Sequence, residues 1–226
     1  MAAGAEVALF DVNGDALERA REDLAPDGDP LTETVDVTDP GGIAAAIASV
    51  AEHHGRLDFL VNNAGVRFVA EFLEYPLDEW NRTLGVNLTG AFLSAQAAIP
   101  HMLETGKGKL VNVGSVAGTM ALRDRVAYSV SKAGLAMLTR SIAYELGGRA
   151  IYCNAILPGV IETPLQRANL QDPAMHELIR SNTPLARWGQ PQEVAPAVAF
   201  LCGDDSDFIQ GATLPVDGGW TIGKGY

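Results

Sequence analysis

The stretch Ala127-Tyr128-Ser129-Val130-Ser131-Lys132-Ala133-Gly134-Leu135-Ala136-Met137-Leu138 decides how this chain is read. Its Ala, Leu and Met content favours a helix, and apolar residues return at Val130, Leu135, Met137 and Leu138. On such a helix Tyr128 and Lys132 lie on one face, one turn apart. A free phenol titrates near pH ~10 and is a poor base at neutral pH, whereas a fixed neighbouring cation favours the phenolate. The pair therefore has the makings of an acid/base. A lysine stem lying along an aromatic ring, with its ammonium in water, gives the same spacing without chemistry, so the neighbours must decide.

Working outward, short β-rich runs alternate with helical ones along the chain. This predicts a doubly wound parallel sheet with helices on both faces, a three-layer, Rossmann-like α/β fold. Strands are expected at residues 6–11, 31–37, 57–61, 109–115, 150–157 and 213–216. Asn13 or Asp15 caps a helix running to about Leu24, and Asp39 followed by Pro40 opens another to about His54. Residues 77–103 supply one or two more, and the helix carrying Tyr128 ends near Gly147-Gly148. Over residues 161–192 the pattern weakens, with Pro164, Pro173, Pro184 and Pro191 punctuating short helical pieces, as a substrate loop or lid would.

With 226 residues, 47% of them hydrophobic, and no long linker or low-complexity tract, a single domain over residues 1–226 is expected. The net charge of -12 argues against nucleic-acid and anionic-membrane partners, which need a basic patch to meet their phosphates. Small-molecule chemistry fits better. Cys153 and Cys202 lie in separate apolar runs and read as buried reduced thiols, which points to the cytoplasm. No run reaches the ~18 apolar residues of a membrane span, and Met1-Ala-Ala-Gly-Ala-Glu lacks the basic start and apolar middle of a signal peptide. His53, His54, His101 and His176 show no metal-ligand spacing with the cysteines, so no metal is expected.

Four features join the Tyr/Lys pair. Asn62-Asn63-Ala64-Gly65 follows a strand, Asn87 lies inside a helical run, Gly114-Ser115 ends a strand, and Pro158-Gly159 follows another. In an open parallel sheet the site lies beyond the carboxyl ends of the strands, where three of these features fall. The Asn-Asn-Ala-Gly run, a serine thirteen residues before Tyr-x-x-x-Lys, and Pro-Gly followed by Thr163 resemble the short-chain dehydrogenase/reductase family, from about Ala2 to Gly219.

The resemblance implies an oxidoreductase that moves a hydride between NAD(H) and an alcohol or ketone. It implies Tyr128 as the acid/base, and Lys132 as the group that lowers its pKa and binds the nicotinamide ribose. Ser115 then holds the substrate oxygen, and Asn87 holds a water near Lys132. Structural alternatives stand beside these roles: Ser115 capping the strand end, Asn87 satisfying buried backbone groups. A carboxylate at Asp11 accepts hydrogen bonds from the adenosine ribose and repels a 2′-phosphate, which favours NAD(H) over NADP(H); its alternative is to cap the following turn. By the same resemblance, Asp36 and Val37 flank the adenine, and Asn63, Ala64 and Gly65 line the adenosine-ribose and phosphate side. Pro158, Gly159, Ile161 and Thr163 meet the nicotinamide end.

The chain departs from the family at its start. A dinucleotide-binding unit begins one strand and one helix earlier, with a glycine-rich turn that holds the pyrophosphate, and no Gly-x-Gly-x-x-Gly turn occurs here. In the family the first strand is central. The fold is therefore expected to be N-terminally incomplete, by trimming or by an internally assigned start, with unpaired inner edges on the strands ending at Asp11 and Val61. A scaffold or interaction protein that has lost cofactor binding is the alternative function. The family commonly forms tetramers through two long helices and the C-terminal segment, here roughly residues 77–103, 127–146 and 211–226, which implies a homotetramer or dimer. Trp220 and Ile222 either join that contact or pack on their own subunit. Arg67, Ala117, Arg123 and residues 162–188 are expected to shape the substrate pocket.

Overall fold

Polar caps start the first helices where the sequence places them. Asn13 Oδ1 accepts from the Ala16 amide at 3.1 Å, and Asp39 Oδ1 from the Gly41 amide at 3.0 Å with Pro40 in the first turn. Gly55, in a left-handed conformation at φ +69°, ends the second helix. The computed structural model describes residues 4–163, 166 and 171–223. The chain runs β1 (Ala8–Asp11), α1 (Gly14–Leu24), β2 (Leu31–Thr34), α2 (Pro40–His54), β3 (Phe59–Asn62) and α3 (Leu77–Leu84). A π-helical turn (Gly85–Thr89) leads into α4 (Gly90–Glu104), β4 (Gly108–Val113), a 3-10 turn (Val116–Gly118) and α5 (Val126–Leu146). Then come β5 (Ile151–Pro158), α6 (Pro173–Asn182), α7 (Pro191–Cys202) and β6 (Thr213–Val216).

Among the described residues every strand pairing is parallel. β1 pairs with β2, from Ala8 opposite Leu31 to Asp11 opposite Thr34, and a second sheet has the order β3-β4-β5-β6. Among the described residues no strand pairs with the other edge of β1 or of β3. One apolar cluster bridges the two sheets: Phe10 and Val35 pack with Ile43 and Ile47 of α2, Met102 of α4, and Leu110 of β4. Alternation along β4 sends the next residue to the opposite face, where Val111 and Ile156 pack against Leu201 of α7. The result is the expected three-layer, Rossmann-like α/β fold.

Several bounds differ from the sequence expectation. The second strand stops at Thr34 rather than at residue 37, because Asp36 Oδ1 accepts from the Thr38 amide at 2.9 Å and the Thr38 hydroxyl at 2.7 Å, turning the chain. The first strand begins at Ala8, and the fourth ends at Val113, where Gly114 bonds back to the Asn112 and Ile156 carbonyls. The expected loop over 161–192 contains the ten-residue α6, capped by Asp172 and anchored by the buried Ile179, and Ile161 bridges to Gly189. Its residues 164–165 and 167–170 lie outside the described residues, as do 1–3 and the tail residues 224–226. Trp220 packs on its own subunit against Val116 and Ile179, whereas Ile222 is exposed.

Candidate active site

The π-helical turn positions Asn87. Its i→i+5 geometry re-aims side chains relative to an α-helix, and Asn87 points inward with only 1% of its surface exposed. Its Oδ1 accepts from the Val66 amide at 2.8 Å, while its Nδ2 donates to the Val66 carbonyl at 3.0 Å and to Ser131 Oγ at 3.0 Å. Ser131 Oγ in turn donates to the Tyr128 carbonyl at 2.8 Å. The amide therefore ties the loop after β3 to the first turns of α5. Both of its N–H bonds are spent on protein groups, the Val66 carbonyl and Ser131 Oγ.

Lys132 is 4% exposed, which rules out a solvated stem. Its Nζ donates to the Val113 carbonyl at 2.8 Å and lies 5.8 Å from the Tyr128 ring centroid. Burial pulls the ammonium pKa down to about 8, because a charge removed from water is disfavoured. Gly65 lies directly beside it: a Cβ there would stand 3.7 Å from Lys132 Nζ and 3.6 Å from Asn87 Oδ1. The 3-10 turn is pressed onto α5 as well. A Cβ on Gly118 would fall 2.8 Å from the Lys132 carbonyl carbon and oxygen, so only glycine permits this approach. Ser115, 8% exposed, caps that turn by accepting from the Ala117 amide at 3.1 Å. Its own hydroxyl proton is left for another acceptor.

The remaining expected residues line the same rim. Asp11 is exposed at the end of β1 and accepts from the Asn13 amide at 2.9 Å through Oδ1, so it caps the turn. Two bonds from Thr38 hold Asp36 below the usual carboxylate range. Val37 touches the start of α4, where a Cβ on Gly90 would lie 2.7 Å from Val37 Cγ2. Asn63, Ala64 and Gly65 are exposed in succession after β3. Pro158 ends β5, and Gly159 approaches β6 so closely that a Cβ would fall 2.8 Å from Asp217 Cα. Ile161 is held in its bridge to Gly189, and the Thr163 carbonyl accepts from the Gln166 amide at 2.9 Å. Exposed Asn63, Ala64 and Gly65 thus lead to the buried Lys132 ammonium, and these are groups that could border a dinucleotide. Among the described residues no glycine-rich strand-to-helix turn accompanies it, and none form a metal-ligand cluster.

Sequence reasoning missed Ser131, although its place three residues after Tyr128 on a helix was a signal. Arg123, expected in the pocket, is exposed. Arg67 is half-buried, and burial, then the like charge of Arg125, lower its pKa, while Tyr128 acts in the opposite sense.

A doubly wound sheet that sets a buried lysine against a tyrosine on its carboxyl rim is the arrangement of a dehydrogenase or reductase. Comparison with known proteins agrees. A family model described as enoyl-(acyl carrier protein) reductase, of the short-chain alcohol dehydrogenase type, matches residues 1–221. The chain is 38% identical to 2-(R)-hydroxypropyl-CoM dehydrogenase of Xanthobacter autotrophicus, over 98% of this chain and 90% of that protein. It is 39% identical to D-threitol dehydrogenase of Mycolicibacterium smegmatis, over 97% and 84% respectively. Among solved structures, a gluconate 5-dehydrogenase from Burkholderia cenocepacia, in complex with NADP and tartrate, superposes with a TM-score of 0.93 at 35% identity, covering 98% of this chain and 88% of that one. The chain belongs to the short-chain dehydrogenase/reductase family, and its class is that of an oxidoreductase acting on alcohol and ketone groups.

Proposed function

We propose that the chain interconverts a small-molecule alcohol and its ketone with NAD(H), with Tyr128 as the proton donor in reduction and acceptor in oxidation. The observation that carries this is Lys132, an ammonium buried against protein at 5.8 Å from the Tyr128 ring. Burying such a charge is costly, and stabilising a developing phenolate is a use that offsets the cost. A bound nicotinamide supplies or accepts the hydride. Lys132 and Gly65 receive its ribose, Asp36, Val37, Asn63 and Ala64 border the adenosine side, and Pro158, Gly159, Ile161 and Thr163 border the nicotinamide. Ser115 donates its free hydroxyl proton to the substrate oxygen as negative charge develops there. Asn87 positions the loop after β3 against α5. The non-catalytic alternative has no observation in its favour, since a scaffold has no use for a buried ammonium beside a phenol.

NAD(H) is preferred over NADP(H) because the exposed carboxylate of Asp11 takes ribose hydroxyls and repels a phosphate. The test measures turnover of a ketone panel with each reduced cofactor, for the chain and for Asp11→Ser. NADH is expected to be used better by the wild type, and the variant to shift the kcat/KM ratio towards NADPH by about tenfold or more, the size of one lost charge repulsion of ~1.4 kcal/mol. An unshifted ratio would count against Asp11 as the selector.

We also propose that the slot between β1 and β3 seats one more parallel strand, followed by the turn that holds the pyrophosphate. Both edges lack a strand partner among the described residues, and the match to the gluconate 5-dehydrogenase leaves 12% of that chain uncovered (100 − 88). In the same experiment, calorimetry compares NADH affinity of this chain with one extended upstream by a strand and glycine turn; equal affinities would sink the idea.

The chain acts as a single dinucleotide-binding and catalytic domain, in the cytoplasm, as a homo-oligomer. Cys153 and Cys202 are free thiols pushed up to about 12 and about 11 by burial, as suits a reducing compartment, and cell fractionation would check it. Among the described residues no helix is long and apolar enough to cross a membrane. Phe92 on α4 and Val130, Met137 and Tyr144 on α5 are exposed, an apolar outer face of the kind that subunit contacts cover. Light scattering is expected to give a tetramer or dimer mass, and a monomer at micromolar concentration would refute the contact.

A further inference from the structure

The buried face of α5 is a stripe at four-residue spacing, Ala127, Ser131, Leu135, Thr139 and Ala143, each at most 5% exposed. Two hydroxyls interrupt this apolar stripe, and each is met by a buried asparagine. Asn112 of β4 donates through Nδ2 to Thr139 Oγ1 at 2.9 Å, and Thr139 donates to the Leu135 carbonyl at 2.8 Å. Asn87 donates through Nδ2 to Ser131 Oγ at 3.0 Å, and Ser131 donates to the Tyr128 carbonyl at 2.8 Å. The bonding is the same, but only the second pair ends on the backbone of the residue proposed as acid/base.

The direction of that second chain is set from its far end. Asn87 meets both backbone groups of Val66, accepting from the amide at 2.8 Å and donating to the carbonyl at 3.0 Å, so turning the side chain over would set donor against donor. Its second N–H therefore points at position 131 and needs an acceptor there. A hydroxyl that accepts this bond still has one proton to give, and the Tyr128 carbonyl takes it. Position 131 thus calls for a group that accepts and donates at once, which alanine cannot do. Close packing keeps the two elements together: a Cβ on Gly134 would stand 2.8 Å from Leu88 Cδ2, on the π-helical turn beside Asn87. The side chain of Arg125 makes no capping bond at the start of α5, so the first turn relies on ties from outside the helix.

We propose that Ser131 is a positioning residue for the reaction, carrying the hold of Asn87 on the loop after β3 into the turn that aims Tyr128. This rests on the alcohol/ketone assignment above and adds to it a residue that acts only through others. Val66 directly follows Gly65, the residue assigned to the cofactor ribose, so the cofactor side and the acid/base are set against each other through one hydroxyl. Removing it leaves a buried Asn87 N–H without its acceptor and frees both ends of the connection.

The test compares Ser131→Ala with Thr139→Val, which breaks the matching bond two turns further along α5. With NADH and a ketone, Ser131→Ala is expected to lose between about tenfold and a hundredfold in kcat while KM changes less than about threefold, because a misaimed proton donor is felt in the transition state. Thr139→Val keeps kcat within about threefold, although its melting temperature falls. Ser131→Cys, which keeps the volume with a weaker donor and acceptor, guards against an alanine variant that does not fold, and is expected to lose about threefold to tenfold in kcat. Full activity in the folded Ser131 variants, or an equal kcat loss in Thr139→Val, overturns the proposal. If no ketone is turned over by the wild type, the catalytic assignment is what fails, and hydrogen exchange read by mass spectrometry decides the connection. Residues 62–68 and 126–133 are both expected to exchange about tenfold faster in Ser131→Ala, although the Ser131 hydroxyl bonds only to Asn87 and Tyr128. Acceleration confined to 126–133, or found in neither segment, overturns it.

Discussion

Replacing Tyr128 with phenylalanine is expected to lower kcat by about a hundredfold to ten-thousandfold, the range that a positioned proton donor contributes, while the melting temperature stays within about 2 °C. The ring remains beside Lys132, 5.8 Å from its Nζ, and only the hydroxyl is lost. Ser131 still bonds to the residue-128 carbonyl, and Asn87 still holds Ser131, so the first turns of α5 keep their anchor. KM is expected to change less than kcat, because the proton moves in the transition state and the phenol adds little to ground-state binding. Steady-state rates and thermal unfolding of the same preparations check both halves. Activity retained within threefold would remove Tyr128 from the chemistry and revive the scaffold alternative.

Changing Lys132 to methionine is expected to separate activity from stability. Activity falls by about a hundredfold or more, since the phenol loses its cation and the ribose a partner. The stability effect depends on pH with a definite sign. The folded-state pKa of about 8 lies below the ordinary value of 10.5, so between these limits the unfolded chain binds the proton and the folded one does not. Wild-type stability from this group therefore rises with pH between about 8 and 10.5, and below 8 the full burden of the buried charge applies. That burden is ~3 kcal/mol at most, and methionine removes it, but leaves the Val113 carbonyl without its donor at a cost of ~1 to 3 kcal/mol. At pH 7 the two changes nearly cancel. As pH rises past 8 the wild type gains on the variant, by up to ~3 kcal/mol at pH 10.5. Denaturant titrations at several pH values read this directly, and a difference independent of pH would contradict a buried ammonium. Reduction by the wild type is also expected to slow above pH 8, as the cation beside the phenol is lost.

The part of the site that sequence made legible is the part written in local periodicity. Tyr128 and Lys132 share a helical face because four residues make about one turn, and Asp11, Asn63 and Pro158 fall at strand ends because apolar runs stop there. What stayed hidden depends on contacts between distant segments. Nothing in residues 85–89 distinguishes a π-helical turn from an α-helical one, because the same side chains suit both and packing against Val66 and Ser131 selects the geometry. The sequence extends β2 to residue 37 because Asp36 reads equally as strand or turn, and its bonds to Thr38 end the strand at Thr34. Lys132 could lie in water or in the core, and only the Val113 carbonyl and the Gly65 backbone decide it. Residues 161–192 looked irregular because prolines interrupt their periodicity, yet Asp172-Pro173 was a legible helix start.

The distribution of the site over strands on either side of the β1 and β3 edges has a consequence for how such a protein diversifies. Asp11 and Asp36 follow the strands β1 and β2, whereas Ser115 follows β4 and Tyr128 lies on α5, which packs on β5. Under the roles proposed above, nucleotide choice and reactivity lie on different strands of the scaffold. Mutations can retune one piece while drift leaves the other untouched, so exchange of the coenzyme and exchange of the substrate can proceed as independent evolutionary steps.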